Sequence, residues 1–177
     1  EIYIQIRGVE GFVNGIYHLS PYESALVFLH ALNEEDGVES FLHVKKTTGF
    51  IFLFSALYYR SSWKYKHRAF RYCLHDTGHM LGTLEASCLL SDKSYEIIYD
   101  IDKNALNRLF GFGKEEFFLS ATIVGKVDKS FTCKELLMEL PCVDGTGNFE
   151  QHNLIEKTYD ETSQISLNLQ TKMPHFH

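Results

Sequence analysis

Polar and apolar positions alternate over Glu1-Ile2-Tyr3-Ile4-Gln5-Ile6-Arg7, the period of two that marks a strand with one covered face. Gly11 and Asn14-Gly15 then frame a turn into Ile16-Tyr17-His18-Leu19, which predicts a β-hairpin. After Pro21-Tyr22, the spacing of Leu26, Leu29 and Leu32 suits a short helix. A second helical stretch is expected around Val38–Val44, before a turn-like break over Lys45–Gly49. Phe50–Tyr59 is a dense apolar and aromatic run, the pattern of a strand at the centre of a sheet.

From Arg68 to Leu90 the positions Phe70, Cys73, Leu74, Thr77, Leu81, Leu84 and Cys88 recur at threes and fours, predicting a long buried helix. Gly78 and Gly82 inside it each cost about 1 kcal/mol relative to alanine, which suits positions where another backbone or a flat ring packs close. Tyr95–Tyr99 reads as a strand. Asp102 then caps a short helix through Phe110 that Gly111 and Gly113 end. Phe117–Val124 is a further strand closed by Gly125, and Cys133–Leu140 a helical candidate before Pro141. After the polar turn Asp144–Asn148 the apolar density falls. The division expected is therefore a domain over 1–150 and a linker or docking tail over 151–177.

Composition narrows the classes. A chain of 177 residues, 45% apolar and 14% aromatic, carries enough core for one α+β domain without disulfides. Its formal net charge of -6, with basic residues spread along most of its length, argues against nucleic acid as the main partner. Cys73, Cys88, Cys133 and Cys142 form no CxxC pair, so free thiols in a reducing, cytoplasmic setting are expected. No apolar run approaches the roughly 20 residues of a spanning helix, and the expectation is no membrane partner. Residue 1 already lies in a strand-like run and is not methionine, so the reading is of a piece whose first strand lacks its natural neighbour.

Chemistry concentrates in Trp63-Lys64-Tyr65-Lys66-His67-Arg68-Ala69-Phe70-Arg71-Tyr72 and the following Leu74-His75-Asp76-Thr77-Gly78-His79. His75 and His79 share a helix face, but Asp76 does not stand where a zinc-protease general base does and no third ligand is evident. No metal is assigned. Gly111-Phe112-Gly113 follows a helix instead of opening one and reads as its terminus; Gly145–Gly147 is weaker still. There is no GxSxG or Walker sequence. Lys64 and Tyr65 remain. Flanking cations are expected to lower both pKa values, which is what a general base needs. The bland alternative is a solvated basic patch, although cations at a helix start oppose its dipole.

Taken in order, Val9-Glu10-Gly11, Gly15-Ile16-Tyr17, Tyr59-Arg60, Trp63-Lys64-Tyr65, Arg68-Ala69-Phe70-Arg71-Tyr72, Asp76-Thr77-Gly78-His79 and Leu109-Phe110-Gly111-Phe112 resemble the SagB-type dehydrogenases of the nitroreductase superfamily. The resemblance covers roughly Glu1–Lys126, the C-terminal two-thirds of such a domain. It implies a nitroreductase-like α+β fold, an antiparallel-rich mixed sheet around a long buried helix, incomplete at its N-terminus. It also implies an FMN cofactor, a homodimer or tandem pseudo-dimer with flavin at the interface, and dehydrogenation of azoline heterocycles in modified peptides. By position the family's Lys-Tyr pair falls on Lys64 and Tyr65, while flavin contacts fall on Tyr99, Asp100, Gly125 and Lys126. The family's arginine-serine-arginine and Tyr-Pro flavin elements lie before the segment that begins at Glu1. The alternative is a flavin-free nitroreductase-like scaffold or dimerisation module. A weaker one is strand addition at an open Glu1–Arg7 edge.

Overall fold

The computed structural model describes residues 1–136, 140 and 149–163. Its two longest strands, β5 (Thr47–Leu57) and β7 (Glu116–Val127), pair antiparallel from Thr47 opposite Val127 to Leu57 opposite Glu116. The apolar run predicted at Phe50 thus occupies the middle of the sheet, where both faces are covered and unbroken hydrophobicity is needed. The other strands are β1 (Ile2–Arg7), β2 (Gly15–Ser20), β3 (Ala25–Ala31) and β6 (Tyr95–Ile98). They complete a six-stranded sheet in the order β3-β2-β1-β5-β7-β6, antiparallel at every pairing. A small parallel pair, β4 (Asp36–Gly37) with β8 (Lys134–Glu135), lies outside it.

Among the described residues four α-helices accompany the sheet: α1 (Tyr59–Tyr65), α2 (Ala69–Leu90), α3 (Lys103–Leu109) and α4 (Asn153–Ser163). On one face Ile51, Leu53, Phe118 and Ile123 pack against Leu106 and Leu109 of α3 and Phe110 at its C-terminal end. On the other, Ala56, Phe117 and Leu119 meet Phe70 and Cys73 of α2 and Ile155 and Tyr159 of α4. Asp102 accepts a hydrogen bond from Ala105 N at 2.9 Å, the cap that its sequence position required. Cys73, Cys88 and Cys133 are buried and unpaired; burial pushes the Cys73 and Cys133 thiols up to about 11. No helix among the described residues is long and apolar enough to cross a membrane.

Several local expectations change. Where a helix is expected on Leu26, Leu29 and Leu32, the first two lie in strand β3 and Leu32 follows it: β2 needs a partner on its outer side, and the alternation of Leu26, Phe28 and Val27, Leu29 serves that period equally well. Glu1–Arg7 is not an open edge, since β1 is paired on both sides and the outer strands are β3 and β6. The helix around Val38–Val44 shrinks to one 3₁₀ turn, Glu39–Leu42, because buried Glu39 accepts from Thr47 N at 3.1 Å and ties that turn to β5. The break at Lys45–Gly49 is therefore shorter than expected, with β5 already formed at Thr47. Within Cys133–Leu140, Lys134–Glu135 is strand, held by β4; 137–139 lie outside the described residues, as do Pro141, Cys142 and the Asp144–Asn148 turn. In the segment assigned to a tail, Asn153–Ser163 is a helix whose Ile155 and Tyr159 are buried.

Helix α2 is buried along one stripe, Phe70, Cys73, Thr77, Leu81 and Cys88. Leu74, Leu89 and Leu90 are exposed, and nothing described lies within 4 Å of where Gly78 or Gly82 would carry a side chain. The close neighbour those glycines suggested is absent from the described residues.

Gly49 and Gly125 face each other across β5 and β7 with φ of 117° and 153°. A methyl on Gly125 would sit 2.1 Å from the Thr48 carbonyl oxygen, and one on Gly49 2.5 Å from that of Val124. Gly125→Ala is expected to cost about 2 kcal/mol or more, from backbone strain and overpacking together. Chemical denaturation measures it; an unchanged midpoint would show that the strand pair tolerates the shift.

Candidate functional site

At the C-terminal end of β5 the chain turns through α1 and a 3₁₀ turn, Lys66–Arg68, into α2. Lys64 and Tyr65 therefore close a separate short helix and do not open the long one. A cation in the last turn of α1 is favoured by the helix dipole, so the unfavourable-dipole argument for Lys64 does not hold. It does hold for Arg68, the N-cap of α2, and for Arg71 in its first turn. Lys66 adopts φ of 52°, the sharp point of the turn. The Lys64 ammonium lies 5.3 Å from the centre of the Tyr65 ring, whose centroid is 4.5 Å from that of Tyr72. Phe149 packs edge-on against Tyr58 and Tyr59, and Glu150 reaches Lys66 at 3.6 Å.

Beside this turn, β6 covers β7 only over Ala121–Val124, which leaves the earlier residues of β7 without a strand neighbour on that edge among the described residues. Side chains replace the missing strand. Asn107 Oδ1 accepts from Phe118 N at 3.0 Å, Asn107 Nδ2 donates to the Tyr159 hydroxyl at 2.9 Å, and that hydroxyl donates to Phe118 O at 3.0 Å. Burial pushes the Tyr159 phenol up, and its ring stacks on Phe117 at 4.1 Å. Tyr58, fully buried, donates to Glu156 Oε1 at 3.2 Å; burial, with Glu156 close by, pushes its phenol up to about 12. Glu156 Oε2 also meets Lys114 at 3.1 Å. Between α3, α4 and β7 lies a cleft of about 540 Å³ lined by Asn104, Arg108, Lys114, Glu116, Glu156 and Asp160.

Sequence reasoning missed Asn107, Glu116, Glu156 and Tyr159. Asn153-x-x-Glu156 ahead of Tyr159 is a capping signal that would have found α4.

The predicted site residues do not converge. Lys64 and Tyr65 lie beyond Leu57, which pairs with Glu116; Gly125 pairs with Gly49 at the other end, about 30 Å away along β7. Tyr99 and Asp100 follow Ile98, opposite Ala121, between those ends. Asp100 acts on Lys103, whose pKa burial holds below the usual lysine range and Asp100 partly restores. Gly125 offers no cradle in its side-chain direction, which the Thr48 carbonyl fills. Within one chain the ladder holds Gly125 and Lys126 apart from the Leu57 end of the sheet. His79 Nδ1 donates to the His75 carbonyl at 2.8 Å, and no group of three or more potential metal ligands occurs among the described residues.

No protein-family model and no curated protein matches the sequence. Solved structures do match the fold. One described as a nitroreductase from Anabaena variabilis superposes with a TM-score of 0.65 at 23% identity, over 96% of this chain and 36% of that one. The E. coli microcin synthetase McbBCD complex with truncated pro-MccB17 bound gives 0.58 at 16%, over 73% of this chain and 52% of the other. A nitroreductase so described from Ralstonia eutropha gives 0.58 at 12%, over 72% and 58%. The chain therefore has a nitroreductase-like α+β fold, with a long helix against an antiparallel sheet, and it spans between about a third and three-fifths of these neighbours' lengths.

Glu116 supplies a test of the network. Its Oε1 accepts from Ser55 Oγ at 2.5 Å and Tyr3 OH at 3.3 Å, and burial, then neighbouring Glu1, raises its pKa above 4.5. A carboxyl with a raised folded pKa adds stability that is complete below its unfolded value and is lost as pH rises through the folded one. Glu116→Gln keeps an acceptor without the charge. It should stabilise the protein at neutral pH, with the gain vanishing below about pH 4.5. Melting curves across that range read the effect; a loss of stability at neutral pH would reverse the assignment.

Proposed function

We propose that this chain is the core of an FMN-dependent oxidoreductase of nitroreductase-like fold, with Lys64 and Tyr65 as its proton-handling pair. The observation that carries the reading is the turn after β5, which presents an exposed amine and phenol side by side on a fold shared with nitroreductases. The flavin, when bound, supplies the redox half of the reaction. Lys64 and Tyr65 offer an amine and a hydroxyl for taking and positioning a substrate proton. The substrate class is an azoline heterocycle in a modified peptide; the likeness to a microcin synthetase complex with a truncated pro-peptide bound supports that class.

One chain does not enclose the cofactor, so the site is composite, completed by a second copy or a tandem pseudo-dimer half. Tyr99, Asp100, Gly125 and Lys126 then contribute only across that interface. Among the described residues Leu74, Leu89 and Leu90 of α2 stay exposed, which supports such a neighbour. Titration of the protein with FMN should give bound flavin absorbance and a dimer by sedimentation. Lys64→Ala and Tyr65→Phe should then lose about 100-fold or more in azoline oxidation while keeping the flavin. A colourless, non-binding protein would sink the enzyme reading.

The separation of the candidate residues favours a second reading, a flavin-free scaffold or dimerisation module. In that case the protein dimerises without binding FMN, and the Lys64 and Tyr65 variants match the parent in stability and assembly.

A further inference from the structure

We propose that the turn joining α1 to α2 is a docking surface for an acidic segment of a polypeptide. The inference concerns recognition and stands whether or not the chain holds a flavin. Lys64, Lys66, His67, Arg68 and Arg71 fall within eight consecutive positions and all are exposed. The chain as a whole carries a formal net charge of -6, so this concentration of positive charge runs against its composition. Clustered like charges raise the free energy of a surface until counter-charge is supplied. Among the described residues, Lys66 is neutralised by Glu150, while Lys64, Arg68 and Arg71 have no carboxylate partner. The last two also stand at the start of α2, where the helix dipole opposes them.

The Glu150 contact shows what this surface accepts: a carboxylate carried on non-helical backbone, with Phe149 beside it packed on Tyr58 and Tyr59. An external acidic segment meets the remaining cations in the same manner. Single-stranded nucleic acid fits less well, because stacking successive bases needs a series of open ring faces and Trp63 offers one. The Tyr65 ring is packed against Tyr72 and has the Lys64 ammonium over it. Trp63, 60% exposed, remains available to an apolar side chain next to the acidic residues.

The test is fluorescence anisotropy of a dye-labelled hexaglutamate peptide titrated with the whole chain. Saturable binding is expected that weakens steeply as salt rises, because exposed charge pairs are screened. Arg68→Glu with Arg71→Glu should weaken it about tenfold or more. Glu150→Gln, which removes the internal competitor at Lys66, should tighten it about twofold or more. Glu23→Gln, on the turn before β3, should leave it unchanged. Melting curves establish that each variant is folded; if the double variant is not, the Glu150→Gln result decides. Absence of saturable binding at millimolar peptide overturns the proposal. So does an unchanged affinity in either arginine-reversed or Glu150→Gln protein, or tighter binding to phosphatidylserine vesicles or a thymidine oligomer. A protein that binds no FMN leaves this outcome untouched, and the reverse also holds.

Discussion

The antiparallel contact between β5 and β7 is the constraint on which the remaining structure depends. They are the two longest strands of the sheet; β7 is buried without a break over Phe117–Ile123 and β5 over Leu53–Ala56. The α3 core forms on one of their faces, and the first turns of α2 and the middle of α4 pack on the other. The strand pair also sets which chemistry can meet. Leu57, from which α1 departs, and Gly125 stand at opposite ends of the same ladder, opposite Glu116 and Gly49.

Much of this was legible in the sequence. Phe50–Tyr59 announced a central strand because a strand covered on both faces cannot alternate. Asp102 and Gly111 marked both ends of α3 because their side-chain and backbone requirements are local. Leu26, Leu29 and Leu32 misled for an equally physical reason. A seven-residue apolar segment satisfies periods of two and three to four alike, and the unpaired edge of β2 decided between them. Tertiary demand chose where local pattern was silent.

The site was less legible than the fold. Lys64 and Tyr65 were found by composition, but the break at Lys66 that puts them on their own helix depends on a positive φ at a lysine, which sequence does not announce. Asn107 and Tyr159 are 52 residues apart and matter only as a pair, so neither stood out alone. Glu116 looked like one strand-end acid among many until its neighbours Ser55 and Tyr3 were placed beside it.

The hydrogen-bonded ring of Asn107, Tyr159 and Phe118 makes helix α4 a substitute strand for the open side of β7. Protein lacking everything from Asn153 onward would bare the Phe118 carbonyl together with the Phe117 ring on that edge. Such an edge is a template for pairing with other chains. The last described helix thus also shields this stretch of the β7 edge.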